Sequence, residues 1–283
     1  MKKDSPQHSL MIRLRTLKLP TFAAMYETVA LRAEQDGWTF GQALQHLCEL
    51  EIEDRRARKI ERLLKAANLP PDKTLATLDT KPWPAKVSRQ LPALCSGDFL
   101  DRAENVLVFG LPGRGKTHLC AAIGYELARR GRPVLFVSTA MLVQRLLRAK
   151  RDLALERELE RLDAFDAVIL DDIGYVQQER DEMEVLFTFL AARYERKSVI
   201  ITSNLVFSQW DRIFKDPMTT AAAIDRLVHH SVILELVSKR SFRADAALAR
   251  NGNGNDDNYQ EALTQSAPPN HEQDTEHQPS GEV

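Results

Sequence analysis

The sequence predicts an α/β protein, a mainly parallel five-stranded sheet between helices, preceded by a small all-helical region. Three observations carry this expectation. Five short apolar runs alternate with helically spaced stretches between residues 105 and 236. A loop of the form G-x-x-x-x-G-K-[ST] joins the first run to a helical pattern. The third run ends on two consecutive acids.

The first 67 residues read as helical. Thr21 follows Pro20 and opens a segment with Phe22, Met25, Tyr26 and Val29 at helical spacing, which Gly37 interrupts. Thr39 and Gln42 then fit a capping box, in which hydroxyl and amide satisfy orphan backbone donors at a helix start. Leu44, Leu47, Cys48, Ile52, Ile60, Leu63 and Leu64 continue the pattern to Ala67. Residues 69–97 hold five of the thirteen prolines and read as a linker with little regular structure.

The five strand candidates are Asn105–Phe109, Pro133–Val137, Asp166–Leu170, Ser198–Thr202 and Val232–Leu236. Continuous apolar runs fit strands covered by helices on both faces. Helix candidates lie between them at about 116–130, 139–162, 181–195 and 221–230. Such alternation argues for a parallel sheet. Residues 251–283 are rich in Asn, Gln, Pro, Ser and His and cannot bury enough apolar surface to offset the entropy of ordering. The expected organisation is a helical domain over 1–68, a proline-rich linker over 69–104, an α/β domain over 105–250 and a disordered acidic tail over 251–283.

Charge is unevenly distributed. The chain has 39 Lys+Arg and 40 Asp+Glu, a formal net charge of −1. The tail holds seven acids and no Lys or Arg, so residues 1–250 carry 39 basic against 33 acidic residues. A basic body of this kind suits a nucleic-acid partner, and the tail would compete with it as a polyanion. No apolar run approaches the roughly 18–20 residues of a membrane span, and the start has no continuous apolar h-region. Cys48, Cys95 and Cys120 are widely spaced and form no metal-ligand pair. A reducing cytoplasm is the expected compartment.

The chemistry-bearing residues follow the strands. Gly110-Leu111-Pro112-Gly113-Arg114-Gly115-Lys116-Thr117 is a phosphate-loop motif set between a strand and a helix. Its glycines let the backbone wrap phosphate oxygens and point N–H groups inward, and the helix N-terminus adds a positive dipole end. Lys116 should reach the β and γ phosphates and Thr117 should ligate Mg²⁺. Val168-Ile-Leu-Asp171-Asp172 places two carboxylates at the same sheet edge. Asp171 is the expected Mg²⁺ partner, and Asp172 is placed to orient or deprotonate the attacking water. Asn204 closes the fourth strand candidate, as a turn former or as a hydrogen-bonding partner of the γ-phosphate or the water. Arg226 and Arg243 read from sequence alone as surface groups.

These motifs, in this order, resemble the AAA+ ATPases of the helicase-loader clade, and above all the IstB-like transposition helper ATPases of insertion sequences. Gly115-Lys-Thr-His118-Leu119, Asp171-Asp-Ile-Gly-Tyr175 and Arg193-Tyr-Glu-Arg-Lys-Ser-Val-Ile-Ile-Thr-Ser-Asn204 carry the resemblance beyond the phosphate loop. Phe207-Ser-Gln-Trp210 and Ala223-Ile-Asp-Arg-Leu-Val-His-His230 extend it, and it runs from about residue 10 to 245. It implies an AAA+ P-loop fold. By position it makes Lys116 and Thr117 the Walker A pair and Asp171 and Asp172 Walker B. It makes Asn204 sensor 1, Arg226 the arginine finger and Arg243 sensor 2. Two departures stand out. The second Walker B acid is Asp172 where many relatives use Glu, which implies looser water positioning. The sensor 2 stretch reads Lys239-Arg-Ser-Phe-Arg243 without the family's glycine.

Two basic stretches are DNA candidates. Arg145, Arg148, Lys150 and Arg151 follow the second strand, where the clade carries an extra helix facing DNA. Arg55, Arg56, Arg58 and Lys59 lie in RRARKIERLLK, with acids preceding them that could pair along the same helix. Neither stretch interleaves aromatics, so duplex backbone binding is favoured over base stacking. The resemblance implies a Mg²⁺-dependent ATPase and homo-oligomer with intersubunit ATP sites, acting on duplex DNA and a transposase of the same element. A replicative helicase loader would share every catalytic motif. A third reading is a DNA-assembly protein that binds ATP without hydrolysing it.

Overall fold

Val, Leu and Phe fill β1 (Asn105–Phe109), and all five of its residues are buried. It is an inner strand of a sheet ordered β2-β3-β4-β1-β5, with every neighbouring pair parallel. The others are β2 (Val134–Ser138), β3 (Ala167–Asp171), β4 (Ser198–Ser203) and β5 (Ser231–Glu235). All five expected strands are present, within a residue or so of their expected bounds. The computed structural model describes residues 6–175, 180–205, 209–210, 217–237 and 241–242. The expected tail lies outside them.

Helices cover both faces, as continuous apolar runs require. One core holds Val106, Val108, Phe136, Ile169 and Ile200 of the sheet, packed with Leu119, Ile123 and Leu127 of α6 (Lys116–Arg129). The other holds Leu107, Phe109, Leu135, Leu170 and Ile201. It packs on α7 (Thr139–Arg151), α8 (Leu155–Asp163), α9 (Arg180–Arg193) and α10 (Pro217–Val228). This is the AAA+ P-loop arrangement the sequence predicts.

Upstream lie α1 (Pro6–Thr16), α2 (Pro20–Asp36) and α3 (Phe40–Ala66). The expected capping box is present: Thr39 Oγ1 accepts from Gln42 N–H, and Gln42 Oε1 accepts from Thr39 N–H at 2.8 Å. Glu51 of α3 is buried and accepts from Thr21 N–H at 2.9 Å, closing the start of α2. Burial opposes its charge, but Arg55 and the Thr21 and Phe22 amides outweigh burial and hold the carboxyl below its ordinary range. The end of α3 is pinned to the sheet: Phe136 N–H donates to Ala67 O at 2.7 Å and Asn68 Nδ2 to Phe136 O at 3.3 Å.

Two expectations need correction. Residues 69–97 are not without regular structure. A 3-10 turn spans Leu75–Thr77, α4 spans Ala85–Ser96, and a short α5 follows at Asp98–Asp101. The prolines mislead because Pro82 and Pro84 precede the helix, where a missing N–H costs nothing. Val87, Leu91, Leu94 and Cys95 carried the helical spacing despite Pro92 inside it, and they pack into the core. The expected single helix at 139–162 is two. The chain breaks at Leu153, whose φ is +52°. The break lets Leu155, Leu159 and Leu162 of α8 turn back onto the core.

Arg193, 2% exposed, binds the starts of the strands together. It donates to Leu162 O, Phe165 O and Ser198 O, each at 3.0 Å. Burial lowers its pKa to about 10, against the pull of Asp163 and Asp166.

Candidate active site

Parallel strands bring their carboxyl ends to one edge, and β1, β4 and β3 end there side by side. Phe109 is level with Ser203, and Leu170 with Ile201. The phosphate loop leaves β1 at this edge and α6 starts at Lys116. The backbone of Gly113 (φ 78°) and Gly115 (φ 89°) is left-handed, which glycine adopts without penalty. At Gly110 a Cβ would come 3.0 Å from the Leu236 carbonyl oxygen, so a larger residue would crowd the backbone that follows β5. Leu111 is exposed, and Pro112 lies between it and Gly113. Lys116 is buried, and its Nζ donates to Gly110 O at 2.7 Å and Leu111 O at 3.2 Å. The ammonium therefore sits over the loop, facing the space its backbone encloses.

Behind the loop, a strap of residues 68–84 holds it. Trp83 Nε1 donates to Arg114 O at 3.1 Å. His118, in the first turn of α6, meets Thr74 O and Thr77 Oγ1, each at 3.1 Å from Nε2. Burial lowers the His118 pKa, so the neutral ring is favoured.

The Asp171 carboxylate meets the residue that closes the loop, as expected. Thr117 Oγ1 donates to Asp171 Oδ2 at 3.1 Å. The two converging oxygens are the hard donors that Mg²⁺ selects, so the residues present fit that ion. Sequence reading missed what fixes Asp171. Thr202 of β4, fully buried, donates to Asp171 Oδ1 at 2.8 Å and accepts from the Asp172 N–H at 2.8 Å. Thr139 Oγ1 donates to the Asp171 carbonyl at 3.0 Å. One hydroxyl on a neighbouring strand thus orients both acids. Asp172 has φ 58°, a left-handed position that Asp tolerates better than most residues.

Asn204 follows β4 at the same edge. Its Oδ1 is buried and accepts no hydrogen bond among the described residues. Gly174 lies beneath it: a Cβ there would stand 2.3 Å from that oxygen. Gly174, in the 3-10 turn Ile173–Tyr175, is therefore a second positioning residue missed from sequence. Its signal was a glycine two residues after the acids.

Arg226 is not at this edge. It lies in the last turn of α10, beside the start of β1: Asn105 Nδ2 donates to Leu227 O at 3.2 Å and Asn105 N–H to His230 O at 2.7 Å. The phosphate loop leaves the opposite end of β1, roughly 13 Å away at ~3.3 Å per residue. Its guanidinium carbon stacks 4.9 Å from the Phe187 ring centre, and Nη1 is buried with no hydrogen-bond partner among the described residues. Arg243 lies outside the described residues.

The DNA candidates divide. Arg145 pairs with Glu158 across α7 and α8, and Lys150 with Glu184 at 3.0 Å and Asp181 at 3.4 Å. Arg55 pairs with Glu51 at 2.7 Å and Arg58 with Asp54 at 2.8 Å. Arg56, Lys59, Arg148 and Arg151 form no ion pair among the described residues. Arg148 lines a groove of about 590 Å³ between α7 and α8 with Arg157 and Arg161, two arginines not singled out from sequence.

Comparisons with known proteins identify the family and the fold. The model for the family described as IstB-like ATP binding protein matches residues 12–248. An insertion sequence ATP-binding protein of Sinorhizobium fredii is 44% identical over 238 residues, covering 84% of this chain and 80% of the relative. The insertion sequence IS21 ATP-binding protein of Pseudomonas aeruginosa is 37% identical, covering 81% and 86%. Among solved structures, the replication initiator DnaA bound to AMPPCP and single-stranded DNA superposes with a TM-score of 0.52 at 17% identity, covering 71% of this chain and 61% of that one. At that identity the likeness is one of fold.

Proposed function

The chain belongs to the family of IstB-like ATP-binding proteins, and from that premise we propose that it is an ATP-hydrolysing regulator of DNA transposition. Lys116 and the loop amides bind the phosphates, and Thr117 and Asp171 would hold Mg²⁺, which would supply charge neutralisation at the phosphate oxygens. Asp172 orients or deprotonates the attacking water, and Asn204 hydrogen-bonds the water or the γ-phosphate. The observation that carries this reading is the Thr117–Asp171–Thr202–Asp172 chain of hydrogen bonds beside the buried Lys116. It fixes the Asp171 carboxylate beside Thr117 and the Asp172 backbone next to it, which supports a hydrolytic role for the two acids. That argues against ATP as a structural ligand alone.

The placement of Arg226 at the opposite sheet edge supports sites shared between subunits. In this reading Arg226 of one protomer completes the site of its neighbour, so nucleotide state governs assembly of a homo-oligomer on duplex DNA. The assembled ATPase recruits or stimulates a transposase. Insertion-sequence relatives favour this over helicase loading. Arg56, Arg148, Arg151, Arg157 and Lys59 are the proposed backbone contacts, and Arg243 remains the proposed sensor 2.

The test is steady-state phosphate release with and without duplex DNA. Stimulated turnover that vanishes in Asp172→Asn, with ATP-dependent DNA binding kept, supports the proposal. No turnover above background with DNA sinks the hydrolytic part, and co-purification with a replicative helicase sinks the transposition part.

A further inference from the structure

The amino edge of the sheet carries a cluster that nucleotide chemistry does not use. Glu195 stands at the turn between α9 and β4, and His229 and His230 at the turn between α10 and β5. Each offers one ligand atom, and these atoms lie within 4.8 Å of one another. Among the described residues no other group of His, Cys, Asp and Glu does so. His230 Nε2 is 3.8 Å from Glu195 Oε1, and the two imidazoles stand edge to face with centres 4.2 Å apart.

Three features separate this cluster from chance crowding. Glu195 has φ 55°, a left-handed conformation that long side chains rarely adopt. The Tyr194 hydroxyl shares a hydrogen bond with His229 Nδ1 at 3.2 Å. Such an outer partner fixes the ring and leaves Nε2 for ligation. Finally, Glu195 forms no ion pair with a lysine or arginine among the described residues. The nearby Glu104, by contrast, is held by Arg102 through two 2.8 Å bonds.

We propose that Glu195, His229 and His230 form a binding site for a divalent transition metal of the zinc, cobalt and nickel class. Two imidazole nitrogens and one carboxylate oxygen suit these ions, whereas Mg²⁺ and Ca²⁺ take oxygen donors. Ligand atoms around a tetrahedral ion sit roughly 3.4 Å apart at ~2.1 Å from the metal. All three side chains are exposed, which leaves Glu195 and His230 room to turn toward the held His229 ring. His229 also lies one helical turn beyond Arg226. An occupied site adds positive charge to the face that presents Arg226 and so opposes its approach to a neighbouring subunit. This consequence rests on the shared-site reading above; the metal site itself does not.

The experiment titrates Co²⁺ into untagged, nucleotide-free, full-length protein and follows its visible d–d absorption, with Zn²⁺ as competitor. One Co²⁺ per protomer is expected, displaced by Zn²⁺. Affinity should fall about tenfold or more in His230→Gln or Glu195→Gln, and the band should vanish in the His229→Gln/His230→Gln double variant. It should persist in Thr117→Ala, which separates this site from the phosphate loop. No band in the unmodified protein, or an unchanged band in the double variant, overturns the proposal. Slowing of DNA-stimulated phosphate release by Zn²⁺ only in the unmodified protein supports the effect on Arg226. Equal slowing in both proteins overturns that effect and leaves the site standing. Co²⁺ binding in a chain without ATPase activity refutes the proposed function alone.

Discussion

At the carboxyl edge of the sheet the hydroxyls and acids bond one another and an acceptor, Asn204 Oδ1, is unmet, whereas at the amino edge the unmet groups among the described residues include guanidinium donors. Thr117, Asp171, Thr202 and Asp172 form an unbroken hydrogen-bonded series. At the other edge Arg193 donates to backbone carbonyls through both terminal nitrogens while its Nε stays unmet among the described residues, Arg226 buries a guanidinium nitrogen with no acceptor among those residues, and the two histidines stand exposed. An unmet donor on a buried charge costs stability unless something outside the chain meets it. The contrast teaches that one edge is organised for chemistry within the chain and the other for a second molecule.

Four substitutions test this contrast. The largest effect belongs to Lys116→Ala, which removes the buried ammonium. Nucleotide binding should weaken by about 4–6 kcal/mol, the worth of two charge-assisted bonds to the β and γ phosphates, read by titration with a fluorescent nucleotide. Arg226→Ala should bind nucleotide normally and lose turnover by roughly 10³-fold. Mixing it with Lys116→Ala should restore part of the activity, because each supplies what the other lacks. Full turnover in dilute, monomeric Arg226→Ala would break the contrast outright.

Gly174→Ala sharpens it from the carboxyl side. The added methyl displaces Asn204, and a misplacement of about 1 Å costs on the order of 10²-fold in rate. The kcat should fall while nucleotide affinity holds. Equal loss of both would mean that Gly174 serves folding rather than Asn204. The smallest effect is expected for Thr202→Val, which leaves the Asp171 oxygen and the Asp172 N–H unmet and should cost about 1–3 kcal/mol of stability in denaturant. Mg²⁺ affinity should weaken with it.

Sequence made the scaffold legible because its strands are covered on both faces. Mostly apolar residues suit such positions, with hydrogen-bonded exceptions such as Asn105 and Thr202, so all five runs stand out from their polar surroundings. The phosphate loop is local in sequence, and Asp171 follows from the strand before it. Thr202 and Gly174 were hidden for a common reason. Their roles arise from register across strands and turns: Thr202 meets an acid 31 residues away, and Gly174 meets Asn204 only after β4 has returned to the same edge. The basic stretches fared similarly. Arg145 reads as available until α8 folds back and brings Glu158 against it. The helix at Ala85–Ser96 was masked by prolines whose position before a helix start is harmless.

The strap between α3 and α6 has a mechanical consequence. Its near end is fixed to β2 through Ala67 and Asn68, its middle meets His118 of α6 through Thr74 and Thr77, and its far end grips the phosphate loop through Trp83. The helix that follows the loop is moored to the same strap, because Tyr125 of α6 donates to Pro70 O at 3.2 Å and Leu69 lies against Gly124. A displacement of the N-terminal helices is therefore shared among β2, α6 and the carbonyl of Arg114, and the strap acts as a tether with several moorings.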